Sequence, residues 1–209
     1  MILFVTGTDT GVGKTFFTVN LVKVLRESGK NVLGFKPVET GCVSICEDAE
    51  KISKVCGREI LPLYSFKTPV APSVAEILEN KKIDINLLKK KVKEYERETD
   101  LLVVEGAGGI MVPISGRYTF LDFVKEIADE VAIVALNKLG VINHTLLTVE
   151  ICRYNGLNIK GVFLNNYGRE SCEQDVSRVS NFDTLKELLD VPVFEFRTAE
   201  DFKPFVELF

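Results

Sequence analysis

Residues 7–15, Gly-Thr-Asp-Thr-Gly-Val-Gly-Lys-Thr, have the residue types and spacing of a phosphate-binding loop. In such a loop, glycines let backbone N–H groups turn toward an anion, and the N-terminus of the next helix adds its positive dipole end. Lys14 would reach the outer phosphates, and the Thr15 hydroxyl would ligate Mg²⁺. Five residues separate Gly7 from Gly13, where the usual pattern has four. A glycine-rich β–α turn that binds nothing is the alternative, but the Gly-Lys-Thr ending favours phosphate binding.

The elements around this loop predict a parallel sheet. An apolar strand over 2–6 precedes the loop, and Phe17, Leu21 and Val24 then recur at helical spacing until Gly29. Further strands are predicted over 31–35, 101–104, 131–136, 159–164 and 192–196. Helices are predicted between them, over 47–55, 74–80, 120–129, 143–154 and 183–189, with another starting at Asp84 and a Phe-rich one closing the chain. This alternation predicts an α/β fold: a single doubly wound domain over 1–209 with a mostly parallel sheet, P-loop NTPase-like.

Local signals set several of the predicted helix boundaries. Ser73 and Asn143 are residue types that cap helix N-termini, and Thr119 with Asp122 has the spacing of a capping box. Residues 37–46 are predicted to be a loop, and residues 168–181 to be polar and mobile.

Polar residues follow the predicted strands at their carboxyl ends, where ligands bind in such sheets. Lys36 ends one buried strand, Glu105 another and Asn165 a third. A lysine there is costly to bury unless it faces a cleft or an anion, although it could also extend to solvent. Glu105 is well placed for Mg²⁺, or could form a salt bridge with a helix, and Asp48 could be only a first-turn helix acid.

Composition excludes several functional classes. The 209 residues carry a net charge of −4, with no basic stripe interleaved with aromatics, so nucleic-acid binding is not expected. No apolar run approaches the roughly 20 residues of a membrane span, and no leader precedes the first strand, so a cytoplasmic protein without membrane contact is expected.

The five cysteines have no CxxC spacing, and their odd number leaves at least one unpaired. Cys42 and Cys46 could ligate a metal, but no second pair completes such a site. Reduced, unpaired thiols are the expectation.

Four segments together resemble dethiobiotin synthetases: 7–15, Lys-Pro-Val-Glu-Thr-Gly at 36–41, Val-Glu-Gly-Ala-Gly-Gly at 104–109 and Lys-Leu-Gly-Val-Ile-Asn-His at 138–144. The extra phosphate-loop residue is itself a feature of that family, and the matches extend over about 1–166 in the correct order. The family enzyme uses ATP and CO₂ to close a cyclic urea on 7,8-diaminopelargonate during biotin synthesis.

The resemblance implies a role for each matching residue. Lys36 and Lys14 would be catalytic, and Mg²⁺ would lie among Thr15, Asp48 and Glu105. The substrate would contact Thr40, Gly109 and the 140–143 turn of a neighbouring subunit, so a homodimer is implied. Nucleotide-binding positions would be Thr10, Gly11, Val12, Gly13, Lys14, Thr15, Phe16, Asp48, Glu105, Gly106, Ala107, Gly108, Asn165 and Asn166, and the substrate set would include Val141 and Asn143.

The chain departs from the family at three places. The loop between Thr40 and Asp48 is short, and Ser73 stands where the family often has histidine after proline. The usual C-terminal nucleotide loop is not recognisable around 195–199.

Other P-loop functions remain open from the sequence, because fold does not fix function. A ParA/MinD-like ATPase would share the fold, but it would carry a second phosphate-loop lysine where Thr8 and Asp9 stand. A cobyrinic-acid-type amidating ligase would need a glutaminase domain, for which 209 residues leave no room. A small-molecule kinase would not need CO₂.

Overall fold

The computed structural model describes residues 1–166 and 176–209. The strands in chain order are β1 Ile2–Gly7, β2 Val32–Phe35, β3 Val38–Thr40, β4 Tyr64–Phe66, β5 Leu101–Gly109, β6 Pro113–Ser115, β7 Tyr118–Thr119, β8 Glu130–Leu136, β9 Ile159–Asn165 and β10 Val193–Phe196. The helices are α1 Lys14–Glu27, α2 Glu47–Cys56, α3 Pro72–Leu78, α4 Ile85–Glu96, α5 Phe120–Ile127, α6 Val141–Tyr154, α7 Val176–Leu188 and a 3₁₀ helix over Ala199–Leu208. None of the helices in this described part is long and apolar enough to cross a membrane.

A six-stranded sheet in the order β10-β9-β8-β1-β5-β2 forms the centre, and all of its strand pairs are parallel. Every residue of β1 and β2 is buried, as in a parallel sheet covered by helices on both faces. The predicted α/β fold with a mostly parallel sheet is therefore confirmed.

The register of β1 and β5 fixes the position of one acidic residue. Val5 of β1 is paired with Glu105 of β5, so this carboxylate lies beside the start of the phosphate loop. On the other side of β5, Phe35 pairs with Val104, which puts Lys36 one residue beyond the paired region and next to Glu105. Backbone pairing thus brings Lys36 and Glu105 together, although 68 residues of chain lie between them.

Aromatic rings fill the layer between α1, the strands β9 and β10, and the 3₁₀ helix. Phe17 lies 4.5 Å from Phe163 and 5.6 Å from Phe202, measured between ring centroids, and Phe205 contacts both Phe163 and Phe202. Such tilted and edge-to-face pairs stabilise a core beyond the area that they bury. The phenylalanines of the closing segment thereby hold the C-terminus against α1, although that segment is a 3₁₀ helix.

Several predicted boundaries differ from the structure. The helix predicted from Ser73 begins at Pro72 with Ala71 as its N-cap, because proline fits the first turn of a helix. The helix predicted from Asn143 begins at Val141. Its N-cap is Gly140, which has a φ of 90°, a left-handed conformation that glycine adopts readily.

The loop predicted over 37–46 contains β3, which pairs in parallel with β4. The helix predicted over 183–189 is longer, Val176–Leu188. Most of the segment predicted to be polar and mobile, residues 167–175, lies outside the described residues.

Candidate active site

The phosphate loop leads from β1 directly into α1. Gly13 is the N-cap of α1 with φ of 97°, a left-handed conformation that a side chain would strain. The first helical residue is Lys14, which is 7% exposed, and its ammonium lies 3.4 Å from the carbonyl oxygen of Asp9. Burial lowers the pKa of Lys14 to about 8, although Glu105 acts in the opposite direction. A desolvated cation at the start of a helix is suited to receive an anion.

A second lysine lies between two carboxylates beside this loop. The Lys36 ammonium is 2.6 Å from Asp48 Oδ2 and 2.7 Å from Glu105 Oε1, and Thr15 Oγ1 donates to the same Glu105 oxygen at 2.8 Å. We call Thr15, Lys36, Asp48 and Glu105 the charged cluster. Burial alone would lower the pKa of Lys36, but the charges of Glu105 and Asp48 outweigh it and raise that pKa. Lys36 therefore stays charged.

Asp48 is held in the charged cluster by two kinds of contact. Burial alone would raise the pKa of Asp48, but the charge of Lys36 outweighs it and lowers that pKa. The position of Asp48 depends on Glu39, whose carboxylate accepts hydrogen bonds from the backbone N–H groups of Asp48 at 3.0 Å and Ala49 at 2.9 Å. Glu39 thus caps α2 from outside the helix. It is not among the residues predicted from the sequence, because its partners lie nine and ten positions away, beyond the local capping spacing.

The charged cluster also offers an oxygen-ligand site. Glu105 is fully buried, and its Oε2 has no hydrogen-bond partner among the described residues. Because a buried carboxylate oxygen is costly to leave unpaired, this atom points to a missing cation or donor. With the Thr15 hydroxyl and Asp48 beside it, the donor set is all oxygen, which fits Mg²⁺.

Both lysines open onto one cavity of about 350 Å³. Thr40 lies on its wall, as do Thr10, Ala107 and Gly108 from the predicted nucleotide set. The cavity is also lined by the segment that leads into α3, which no sequence motif assigns to the site. That segment contributes Pro69, Val70, Ala71 and Pro72.

Three of the predicted substrate residues lie away from this cavity. Gly109 lines a separate cleft of about 560 Å³ together with Met111, Leu147 and Tyr154. Val141 is buried and Asn143 is exposed, both in the first turn of α6. Within the single chain, the described residues therefore do not bring the 140–143 turn to Lys14 and Lys36.

Among the remaining predicted nucleotide residues, Asn165 and Phe16 support the loop and its helix by hydrogen bonding and packing. Asn165 Nδ2 donates to the Val12 carbonyl at 2.8 Å, and its amide lies against Gly13, where a Cβ would overlap it. Phe16 is stacked on Phe196 with ring centroids 6.0 Å apart. Gly11 is exposed in the loop, whereas Gly106 lies against the ring of Phe4.

Asn166 belongs to a network of buried amides. Asn137 Nδ2 donates to Asn166 Oδ1 at 2.7 Å and to the Arg178 carbonyl at 3.0 Å, and Asn181 Nδ2 donates to Asn137 Oδ1 at 2.8 Å. Asn166 Nδ2 donates in turn to Glu195 at 2.9 Å. We call Asn137, Asn166 and Asn181 the amide cluster. It joins the ends of β8 and β9 to α7 and β10.

The expectation of unpaired thiols is wrong for two cysteines. Cys42 and Cys46 form a disulfide with Cα atoms 4.7 Å apart, because the tight loop before α2 brings them together. Their sulfurs and the Glu39 carboxylate lie close enough to hold a metal ion, but a disulfide offers no thiolate. Cys56 and Cys152 are free and buried.

Comparisons with known sequences find relatives over most of the chain. A sequence model of the AAA domain family matches residues 2–195. ATP-dependent dethiobiotin synthetase BioD from Aquifex aeolicus is 39% identical over 204 residues, covering 96% of this chain and 90% of that protein. The protein of the same name from Methanocaldococcus jannaschii is 35% identical over 214 residues, covering 96% of each chain.

Solved structures with lower identity share the fold. The structure of cobyrinic acid a,c-diamide synthase from Mycobacterium smegmatis with bound ATP analog and magnesium has a TM-score of 0.61 at 16% identity, covering 99% of this chain and 92% of that one. A ParA family ATPase from Chlorobium tepidum has a TM-score of 0.56 at 13% identity, covering 96% and 84%. At these identities, the two structures support the P-loop NTPase fold alone.

Proposed function

The chain belongs to the dethiobiotin synthetase family, and on this premise we propose that it closes a cyclic urea on 7,8-diaminopelargonate with CO₂ and ATP. The products are dethiobiotin, ADP and phosphate. In this proposal, residues 1–209 act as a single P-loop domain.

The observation that carries the proposal is the convergence of Lys14, Lys36 and Thr40 on one cavity at the phosphate loop. Phosphoryl transfer to an oxygen nucleophile accumulates charge on the phosphoryl oxygens, and fixed cations are the groups that stabilise such charge. A cavity of about 350 Å³ is in the size range of a small-molecule site. The charged cluster contains no histidine to act as a general base. This suits a reaction in which the amines of the substrate are themselves the nucleophiles.

The reaction requires three bond-forming steps. One amine of the substrate attacks CO₂ and loses a proton, giving a carbamate. A carbamate oxygen then attacks the γ-phosphorus and ADP leaves, which gives a carbamic–phosphoric anhydride. The second amine attacks the carbonyl carbon, loses a proton and expels phosphate, and the five-membered urea ring is closed.

Each lysine has a distinct role in these steps. Lys36 remains charged and faces both the carbamate and the γ-phosphoryl group, so it stabilises the oxygens between which the phosphoryl group moves. Lys14, desolvated at the N-terminus of α1, binds the outer phosphates. Thr40 donates a hydrogen bond to the diamine from the cavity wall.

Thr15, Asp48 and Glu105 would hold Mg²⁺, and the unpaired Oε2 of Glu105 supports this assignment. When bound, the ion neutralises phosphate charge and orients the triphosphate. The backbone of Gly11 to Phe16 holds the phosphates, and Glu105 to Gly108 line the nucleotide. Asn165 and Asn166 lie on the nucleobase side.

We further propose a homodimer in which the 140–143 turn of a second copy receives the substrate carboxylate at the N-terminus of α6. The exposed apolar side chains of Met111, Leu147 and Tyr154 beside Gly109 support an interface on that side.

The test is phosphate release from Mg·ATP with the diamine and bicarbonate, each omitted in turn. Release that requires both, with a cyclic-urea product by mass spectrometry, supports the proposal. Release without CO₂ and a phosphorylated product would indicate a small-molecule kinase, and release indifferent to both would indicate a ParA/MinD-like ATPase.

A further inference from the structure

The disulfide between Cys42 and Cys46 joins the two ends of the loop that connects β3 to α2. Cys42 comes two residues after Thr40, which lies on the wall of the substrate cavity. Cys46 is the N-cap of α2 and comes two residues before Asp48 of the charged cluster. The bridge therefore links a proposed substrate contact to a proposed metal ligand.

Few other contacts hold this loop in place. Cys42 N donates to the Phe66 carbonyl at 2.8 Å, which fixes only the first end. Within the loop, Val43 is 81% exposed and Ile45 53% exposed, so their side chains contribute little packing. At the second end, Cys46 makes no side-chain cap to α2, and Glu39 supplies that cap instead. The covalent bridge is thus a main constraint on residues 42–46, whereas Asp48 itself is held by Glu39 and Lys36.

The bridge is accessible to a small thiol. Both cysteines line an open cavity of about 760 Å³, distinct from the cavity of the two lysines. Cys56 and Cys152 are buried away from it, and burial raises the pKa of both thiols. Because thiol–disulfide exchange requires an accessible sulfur and a thiolate, the 42–46 pair is the exchangeable one among the cysteines of the described residues.

We propose that Cys42 and Cys46 form a reversible redox site that sets the affinity of the enzyme for its diamine substrate. The inference rests on the proposed function, since it assigns the regulated step to that substrate. In the oxidised form the bridge holds Thr40 and α2 in the binding arrangement. In the reduced form the loop must be ordered when the substrate binds, and this ordering weakens affinity.

The exchange is balanced with glutathione as the partner. A thiolate of the reduced pair attacks glutathione disulfide, forming a mixed disulfide and releasing one glutathione thiolate. The second protein thiolate attacks the protein sulfur of that mixed disulfide and releases the second glutathione. The protein pair loses two electrons and two protons overall, and glutathione disulfide becomes two glutathione thiols.

The experiment equilibrates the protein in buffers of increasing reduced-to-oxidised glutathione ratio. Alkylation and mass spectrometry count the thiols at 42 and 46, and initial rates give kcat and KM for the diamine at each ratio. The background variant is Cys172→Ser, which removes the cysteine outside the described residues. The comparison variants are Cys42→Ser/Cys46→Ser and the single variant Cys46→Ser, so a folding failure of one does not end the test.

We expect the diamine KM to rise about three- to tenfold as the pair is reduced. The value of kcat should change little, because Glu105 lies in β5, Lys36 directly follows β2, and the two remain paired. The double serine variant should match the reduced enzyme at every ratio. Cys46→Ser should match it at reducing ratios, where Cys42 carries no mixed disulfide with glutathione. A KM that stays constant while the thiols titrate overturns the redox inference and leaves the proposed function intact. A reduced enzyme whose diamine KM differs from that of the double serine variant also overturns it. The thiols themselves, for example by binding a metal ion, would then cause the change, and not the loss of the bridge. Absence of diamine- and CO₂-dependent turnover at every ratio would refute the proposed function itself.

Discussion

The charged cluster and the amide cluster lie on opposite sides of β1 and its phosphate loop, the first at the carboxyl ends of β5 and β2 and the second at those of β8 and β9. One contains an ammonium between two carboxylates, Lys36 with Asp48 and Glu105. The other contains neutral amides that satisfy one another and nearby carbonyl groups. Both clusters remove polar groups from water, but only the first retains net charges that can act on a substrate.

The difference between the clusters separates chemistry from positioning. Buried charges are costly and often add little stability, so their presence at the phosphate loop is better explained by phosphoryl transfer than by folding. Buried amides with complete hydrogen bonds fix irregular backbone at low electrostatic cost. Substitutions in the charged cluster should therefore act mainly on turnover, and those in the amide cluster mainly on stability and nucleotide affinity.

The largest effect is expected for Lys36→Met. Loss of this cation should lower kcat about a thousandfold, while nucleotide binding largely survives because the phosphate loop is unchanged. It also leaves the buried carboxylate of Glu105 without its cation beside the partly exposed Asp48, which should lower the free energy of unfolding by about 2 kcal/mol. Steady-state kinetics measure kcat, nucleotide titration measures ATP binding, and urea unfolding measures the free energy of unfolding.

The matched control for this variant is Lys23→Met, which removes an exposed lysine of α1 that pairs with Glu27 at the surface. It should change neither turnover nor stability appreciably, because exposed ion pairs contribute little. Normal turnover in Lys36→Met would rule out the catalytic role of that lysine.

The next largest effect is expected for Lys14→Met, and here activity and stability should change in opposite directions. Turnover and ATP affinity should both fall about a hundredfold, because the variant loses a phosphate contact. The pKa of Lys14 is lowered to about 8 by burial, so below that pH the ammonium destabilises the unliganded fold, and its removal should raise the free energy of unfolding by about 1–3 kcal/mol. Thermal unfolding without nucleotide measures this gain, and a loss of stability would contradict the desolvated state of Lys14.

The two clusters also differ in how much of them the sequence reveals. Lys36 and Glu105 follow apolar strands, and the rule that such ends meet at one sheet edge is enough to predict from the sequence that they lie close together. Asp48 could be predicted only through the family resemblance, because its own surroundings are those of an ordinary first-turn helix acid. The Glu39 cap depends on where β3 places its side chain, which no local pattern specifies.

The amide cluster could not be predicted, since Asn137 and Asn181 belong to different elements joined by no periodic pattern. Asn166 stays a predicted nucleobase contact, but its amide already bonds to Asn137 and Glu195. The sequence does not predict the disulfide either, because its formation depends on the tight 42–46 loop, which the spacing alone does not specify. Two helices begin earlier than predicted, because Gly140 and Pro72 are stronger boundary signals than nearby Asn143 and Ser73.

A smaller effect on activity is expected for Asn137→Ala. The change leaves Asn166 Oδ1 and the Arg178 carbonyl without their donor, which should cost about 2 kcal/mol of stability. The ATP KM should rise by only a few-fold and kcat should hold, since the phosphate loop and both lysines are intact. Asn86→Ala, an exposed asparagine on α4, is the control for unfolding and kinetics. A large loss of kcat in Asn137→Ala would place the amide cluster in the chemistry and remove the distinction between the two clusters.

The last prediction needs no substitution and concerns a pH dependence that separates the two lysines. The pKa of Lys14 is lowered to about 8 by burial, and Lys36 adds to this, whereas Glu105, Asp48 and Asp9 oppose it. The pKa of Lys36 is raised, so this lysine stays charged over the same range. As pH rises through about 8, the free enzyme should lose the Lys14 proton and kcat/KM for ATP should fall, approaching about tenfold per pH unit.

Lys14→Arg is the control for this pH dependence, because a guanidinium stays charged throughout the range and should flatten the profile at a lower overall rate. A wild-type profile that stays level well above pH 8 would show that Lys14 keeps its charge despite its burial. The contrast between a desolvated lysine in the phosphate loop and a paired lysine in the charged cluster would then have to be abandoned. A profile that falls equally in Lys14→Arg would assign the titration to another group near the phosphates.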